Sequence, residues 1–203
     1  MRACVITFPG SNCDRDLAVG FEAAFERPCA RIWHGNSVLP DVDVIGVPGG
    51  FSYGDYLRCG AIASRSPIMA DVIRRAKAGT FVIGICNGFQ VLCEAGLLPG
   101  ALLRNAGLSF VCRHVEVEVA TTETPFTGAY GQADRLSLPV AHHDGNYHVD
   151  ADGLARLRGE GRIAFRYRDN PNGSLDDIAG IVSENRRVLG MMPHPERAIE
   201  TLL

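Results

Sequence analysis

No part of this chain of 203 residues carries an unbroken apolar run long enough to span a bilayer. The first apolar stretch, Ala3 to Phe8, meets Pro9-Gly10 before it reaches the length of a signal h-region, so a cytoplasmic protein is expected. There is no basic excess: the formal net charge is −3, which removes the electrostatic reason to expect nucleic acid or an anionic membrane as a partner. The paired arginines Arg74-Arg75 and Arg186-Arg187 read instead as solvated helix or turn positions. The seven cysteines include no C-x-x-C pair and are odd in number and irregular in spacing, which excludes a zinc ribbon, dithiol chemistry and a disulfide framework. Most should be small buried hydrophobes. No Gly-Lys-Ser/Thr ends a glycine-rich loop, so the chain has no P-loop. Repeats, low-complexity tracts and linkers are also missing, and with 46% hydrophobic and 21% charged residues a single domain over 1–203 is predicted.

What is present is a βαβ rhythm. Apolar runs at Ala3 to Phe8, Ala30 to Trp33, Val42 to Val47 and Phe81 to Ile85 alternate with helical patterns at Asp16 to Phe25 and Ile62 to Ala78, the latter stopped by Gly79. This predicts an α/β fold with a mostly parallel open sheet flanked by helices. Beyond Leu103 the pattern changes. Phe110 to Val119 alternates like a half-exposed strand, and further strands are predicted at Val140 to His142, Ile163 to Tyr167, Ile178 to Val182 and Val188 to Met192, so antiparallel strands belong to the second half. Pro171-Asn172-Gly173 and Glu184-Asn185 read as turns between them. Phe21, Phe25 and Trp33 are assigned to the core.

Gly84-Ile85-Cys86-Asn87-Gly88 joins the Phe81 strand to the short pattern Phe89 to Ala95, which Gly96 and Pro99 close. Glycines two before and two after a nucleophile permit the sharp strand-to-helix turn of a nucleophile elbow, here with sulfur. A thiol at a helix start is favoured as thiolate by the dipole and by free N–H groups. Downstream, His194 lies between Pro193 and Pro195, and a residue before proline is pushed to extended backbone. Residues i and i+2 then project to one side, so Glu196 can orient His194 and a Cys86-His194-Glu196 triad is predicted. Val47-Pro48-Gly49-Gly50 ends another strand, where the Gly50 N–H and the Asn87 N–H can form an oxyanion hole. His142-His143-Asp144 with His148 matches no zinc pattern and reads as a polar turn, Cys13 lacks a visible partner base and is assigned a structural role, and no metal site is expected.

Gly84-Ile85-Cys86-Asn87-Gly88-Phe89-Gln90, Pro48-Gly49-Gly50 and His194-Pro195-Glu196 resemble the class I, triad-type glutamine amidotransferases. The resemblance extends along the chain through Phe8 to Asp14, Pro48 to Arg58 and Met191 to Arg197. It implies the branch that serves de novo purine synthesis. Carried onto matching positions, it makes Cys86 the nucleophile, His194 the acid and base, Glu196 its orienter, Gly50 and Asn87 the oxyanion donors, and Gln90 and Gly49 part of the site for L-glutamine. It further implies that ammonia passes to a synthase large subunit, which binds ATP and magnesium and converts formylglycinamide ribonucleotide to formylglycinamidine ribonucleotide, while this chain itself binds no cofactor. A small bridging third subunit stays open. Where family members read Ala-His-Gly-Glu-Gly, this chain has Ala141-His142-His143-Asp144-Gly145, and its end at Leu203 implies a shortened final helix. Two other readings remain at this stage: a free-standing cysteine hydrolase such as a γ-glutamyl peptidase, and a non-catalytic thiol sensor.

Overall fold

A computed structural model describes residues 1–199. In chain order the regular elements are β1 (Ala3–Thr7), α1 (Asp14–Phe25), β2 (Ala30–Trp33), β3 (Val44–Val47), α2 (Pro67–Lys77), β4 (Phe81–Ile85), α3 (Asn87–Glu94) and β5 (Ala101–Leu103). They continue with β6 (Val111–Val119), β7 (Arg135–His142), β8 (Asn146–His148), α4 (Ala151–Gly159), β9 (Ile163–Tyr167), β10 (Ile178–Val182) and β11 (Val188–Met191). A 9-stranded sheet runs β2-β1-β3-β4-β11-β10-β9-β6-β7, and β5 pairs with β8 in a separate 2-stranded sheet. Strands β2, β1, β3, β4 and β11 are mutually parallel. From β10 onward every pairing is antiparallel.

Burial explains the sequence patterns. The β3, β10 and β11 strands are buried at every position, which is why they read as continuous apolar runs. In β6, Val115, Val117 and Val119 are buried and Val111 packs on the core, while Arg113, His114 and Glu116 are exposed. The chain leaves β1 to one side for β2 and returns to its other side for β3. The loops after β1 and β3 therefore lie side by side beyond the carboxyl ends of the parallel strands. The turn after β4 and the segment after β11 end at the same edge.

Several expectations change. The helix predicted over Ile62 to Ala78 is broken into a 3-10 turn at Ala63–Arg65 and α2, because Ser66, which precedes Pro67, is extended (φ −60°, ψ 148°) and Pro67 takes the first helical position. Trp33 is not core: it lies on the edge strand β2 and is 50% exposed, stacked edge-on against His34. Phe21 is buried and Phe25 packs on the core beside it. Arg74 is solvated, but Arg75 is largely covered and donates to the Leu39 and Pro40 carbonyls and to Asp71. The short β5 and β8 strands and α4, capped by Asp150 accepting from the Gly153 N–H at 2.7 Å, carry too few apolar positions to be seen in the sequence. Of the expected final helix, only a 3-10 turn at Pro195–Arg197 is seen, and residues 200–203 lie outside the described part.

Candidate active site

Cys86 stands at the junction of β4 and α3 with φ 51° and ψ −107°, a conformation L residues keep only where their surroundings enforce it. The flanking glycines allow that enforcement. A Cβ on Gly88 would overlap the Val47 carbonyl oxygen, and one on Gly84 would stand 2.8 Å from the Gly88 backbone. The Cys86 N–H donates to the Met191 carbonyl at 2.8 Å, and the Gln90 N–H donates to the Cys86 carbonyl at 3.2 Å. Cys86 is thus pinned between β11 and the first turn of α3.

His194 follows β11, and its N–H donates to the Pro139 carbonyl of β7 at 2.9 Å. Its Nδ1–H donates to Glu196 Oε1 at 2.6 Å, with both side chains 2% exposed. The predicted i, i+2 pairing is present, but the backbone route differs. His194 has φ −105° and ψ 85°, short of the extended region, and Glu196 sits in the 3-10 turn that Pro195 starts. Burial opposes protonation of His194, yet the neighbouring Cys86 charge and thiol, with Glu196, outweigh it and raise the imidazole to about 10. In this state Nε2 makes no hydrogen bond, and the Cys86 S–H donates to the Ala141 carbonyl at 3.8 Å. Catalytic hydrogen bonds commonly tighten only when substrate is bound.

Gly50 has φ +127°, and a Cβ there would stand 2.6 Å from the Asn12 nitrogen, so only glycine fits. The loop after β3 is zipped to the loop after β1: Phe51 N–H donates to Gly10 at 3.1 Å and Tyr53 N–H to Pro9 at 2.6 Å. It is also tied to the elbow, since Ser52 N–H donates to Asn87 Oδ1 at 3.2 Å. Gly49 lies closer still to the reactive groups, where an added Cβ would be 2.8 Å from His194 Cε1 and 3.4 Å from Cys86 Cβ. Gly49, Gly50, Cys86, Asn87, His194 and Glu196 therefore come together at one end of the parallel strands.

Gln90 takes a different position from that of an open binding group. Its oxygen accepts from Asn87 Nδ2 at 2.8 Å, and its nitrogen donates to the Asp144 carbonyl at 2.6 Å. It bridges the elbow helix to the turn after β7. That turn is held from beneath by residues the sequence did not flag. Asn105 Oδ1 accepts from the Gly145 N–H at 3.0 Å and lies 3.1 Å from His142 Nδ1, while Asn172 Nδ2 donates to the Gly145 carbonyl at 2.9 Å. Asn172 was legible only as part of a turn, and its inward role depends on contacts across the fold. His142 is the buried end of β7 rather than part of a polar turn, and burial with the nearby His194 charge lowers it to about 4. A cavity of about 470 Å³ opens beside Asp55 and Asp144, with Phe51, Leu57, Arg58, Leu103 and Arg104 among its walls.

A strained cysteine at a strand-to-helix turn, a buried imidazole-carboxylate pair and a glycine strip beside them define an amidotransferase-type site. The chain belongs to the family of the CobB/CobQ-like glutamine amidotransferase domain, which matches residues 1–203. It is 66% identical over 201 residues to the phosphoribosylformylglycinamidine synthase subunit PurQ of Cereibacter sphaeroides, covering 98% of this chain and 90% of that one. Its identity to the same subunit of Jannaschia sp. is 62% over 202 residues, with 98% and 90% covered. Among solved structures it is similar to a chain of PurLQS from Thermotoga maritima, with a TM-score of 0.88 and 42% identity over 99% of this chain and 90% of that one. The glutaminase domain of Trypanosoma brucei CTPS shares the fold, at a TM-score of 0.62 and 16% identity over 97% of this chain and 86% of that one.

Proposed function

We propose that residues 1–203 act as one glutamine amidotransferase domain, the glutaminase subunit that supplies ammonia for formylglycinamidine ribonucleotide synthesis. The observation that carries its chemistry is the strained Cys86 beside the buried His194–Glu196 pair, whose donor and acceptor are 2.6 Å apart. Cys86 thiolate attacks the side-chain amide carbon of L-glutamine, and the Gly50 and Asn87 N–H groups hold the developing oxyanion, each contributing roughly 3 kcal/mol. His194, kept in one tautomer by Glu196, gives its proton to the departing ammonia, leaving a γ-glutamyl thioester on Cys86. Water then attacks the thioester, His194 takes the water's proton, and glutamate leaves. Gly49 lets the ring and thiol approach the loop, and Gln90 shapes the glutamine pocket by fixing Asp144.

Ammonia in water at neutral pH is mostly ammonium, which is not a nucleophile. It therefore has to pass directly to the synthase large subunit, which binds the ATP and magnesium and aminates formylglycinamide ribonucleotide. A cytoplasmic location belongs with this reading, and no described helix is long and apolar enough to cross a membrane. The test is glutamine-dependent ammonia release by wild type and Cys86→Ala, each alone and with the synthase subunit, ATP, magnesium and formylglycinamide ribonucleotide. Release that rises strongly in the complex and vanishes in the variant is expected. Strong release by the isolated chain would refute the coupled role.

A further inference from the structure

Cys13 has no part in the chemistry above, yet the fold places it under the reactive groups. It is 3% exposed, immediately before α1. One ligand atom from each of Cys13, His194 and Glu196 lies within 4.8 Å of the other two, and all three residues are buried. Two buried polar atoms of this cluster, His194 Nε2 and Glu196 Oε2, have no hydrogen-bond partner. His194 and Cys13, with Cys86, border the space that Gly49 leaves open: a Cβ there would be 2.8 Å from His194 Cε1, 3.3 Å from Cys13 Sγ and 3.4 Å from Cys86 Cβ.

Thiolate, imidazole and carboxylate are the donors that zinc takes, at bond lengths of about 2.0–2.3 Å. A tetrahedron of that size sets donor atoms about 3.5 Å apart, so an inward shift on the order of 1 Å completes the geometry. We propose that Cys13, His194 and Glu196 form a site for a thiophilic divalent cation of the zinc class, and that occupancy withdraws His194 and Glu196 from catalysis and silences the glutaminase. The silencing rests on the function proposed above, whereas the binding does not.

Two features control access to the site. Arg197 Nη2 donates to Cys13 Sγ at 3.1 Å and Nε donates to Asp16 at 2.9 Å. The arginine is 36% exposed and can withdraw along its Asp16 anchor. A cysteine ligates as the thiolate, so the cation also has to displace the Cys13 proton.

The experiment titrates the full chain with Co²⁺, reads the thiolate-to-cobalt charge-transfer band and the stoichiometry, and then follows Zn²⁺ inhibition of ammonia release in the complex with the synthase subunit. Wild type and Cys86→Ala should each take one cation with the band present. Cys13→Ser should lose the band and need at least about tenfold more Zn²⁺ for binding, the loss of one ligand being worth a decade or more. Arg197→Gln, which removes the competing cation and leaves all three ligands in place, should bind more tightly. A band that survives Cys13→Ser but disappears in Cys86→Ala would overturn the proposal, as would the absence of stoichiometric binding by wild type. Binding without inhibition of an active complex overturns the silencing. Binding by a chain that releases no ammonia even without metal counts against the proposed function and leaves the site standing.

Discussion

His142 and His194 are both buried imidazoles, and their surroundings drive them in opposite directions. Cys86 and Glu196 hold a proton on His194, whereas His142 has neutral amide partners at Asn105 and Asn172 and a like charge nearby in His194. With its folded value near 4 against an ordinary 6.5, His142 stays neutral in the native state while the unfolded chain protonates. Its contribution to stability is therefore complete above about pH 6.5 and is lost as pH falls toward 4, by up to about 3 kcal/mol. Urea unfolding of wild type and His142→Asn across that window should show wild type losing more stability than the variant. Parallel curves would show that His142 is not the titrating group. His194 has the opposite sign. Its raised value adds stability that is full below 6.5 and disappears as pH climbs through about 10.

The elbow works because two elements touch through backbone alone. Gly88, in the first turn of α3, lies against the Val47 carbonyl at the end of β3, and Gly84 faces the same helix turn. A side chain at either place would push α3 away from the sheet and relax the backbone that holds Cys86 at φ 51°. Gly88→Ala should cost about 3 kcal/mol of stability, since backbone on both sides leaves no flexible group to yield. In the soluble fraction Cys86 should also alkylate more slowly than in wild type, because the thiol is no longer held at the helix N-terminus. Thermal unfolding and timed iodoacetamide labelling read the two effects separately, and unchanged labelling in a destabilised protein would show that the elbow's geometry does not depend on this contact.

Across the whole molecule, exposed apolar side chains collect around the cavity beside the site. Phe51, Tyr56 and Leu103 are exposed, and Leu57 is 92% exposed with a φ of +69°, unusual for leucine. Phe51, Tyr56 and Leu57 belong to the loop that carries Gly50 and is tied to Asn87, and Leu103 ends β5 across the cavity from them. On the proposed function, a synthase subunit seated on this rim would press on the loop that carries the Gly50 N–H and so couple assembly to activity. Leu57→Asp should leave the thermal midpoint of the isolated chain within about 2 °C, as surface substitutions usually do. It should lower the affinity for the synthase subunit by about tenfold or more, the cost of losing one anchoring side chain. Unchanged affinity by calorimetry would place the interface elsewhere.

Much of this was legible in the chain itself. Valine and isoleucine runs announced the parallel strands because those strands are buried on both faces, and Gly84, Cys86 and Gly88 announced the elbow because the turn tolerates so few residues. His194 and Glu196 were legible through their prolines, although the 3-10 turn that joins them was not. Trp33 and Arg75 were misjudged because composition does not say which strand lies at an edge or which arginine has carbonyls to reach. Sequence alone determined the local geometry of Cys86, since backbone sterics act between neighbours. Only the tertiary structure decided that Asn105 and Asn172 brace the turn after β7 and that Cys13 lies beneath the imidazole. Those contacts join residues far apart in the chain, and their hydrogen bonds exist only once the sheet has brought its strand ends together.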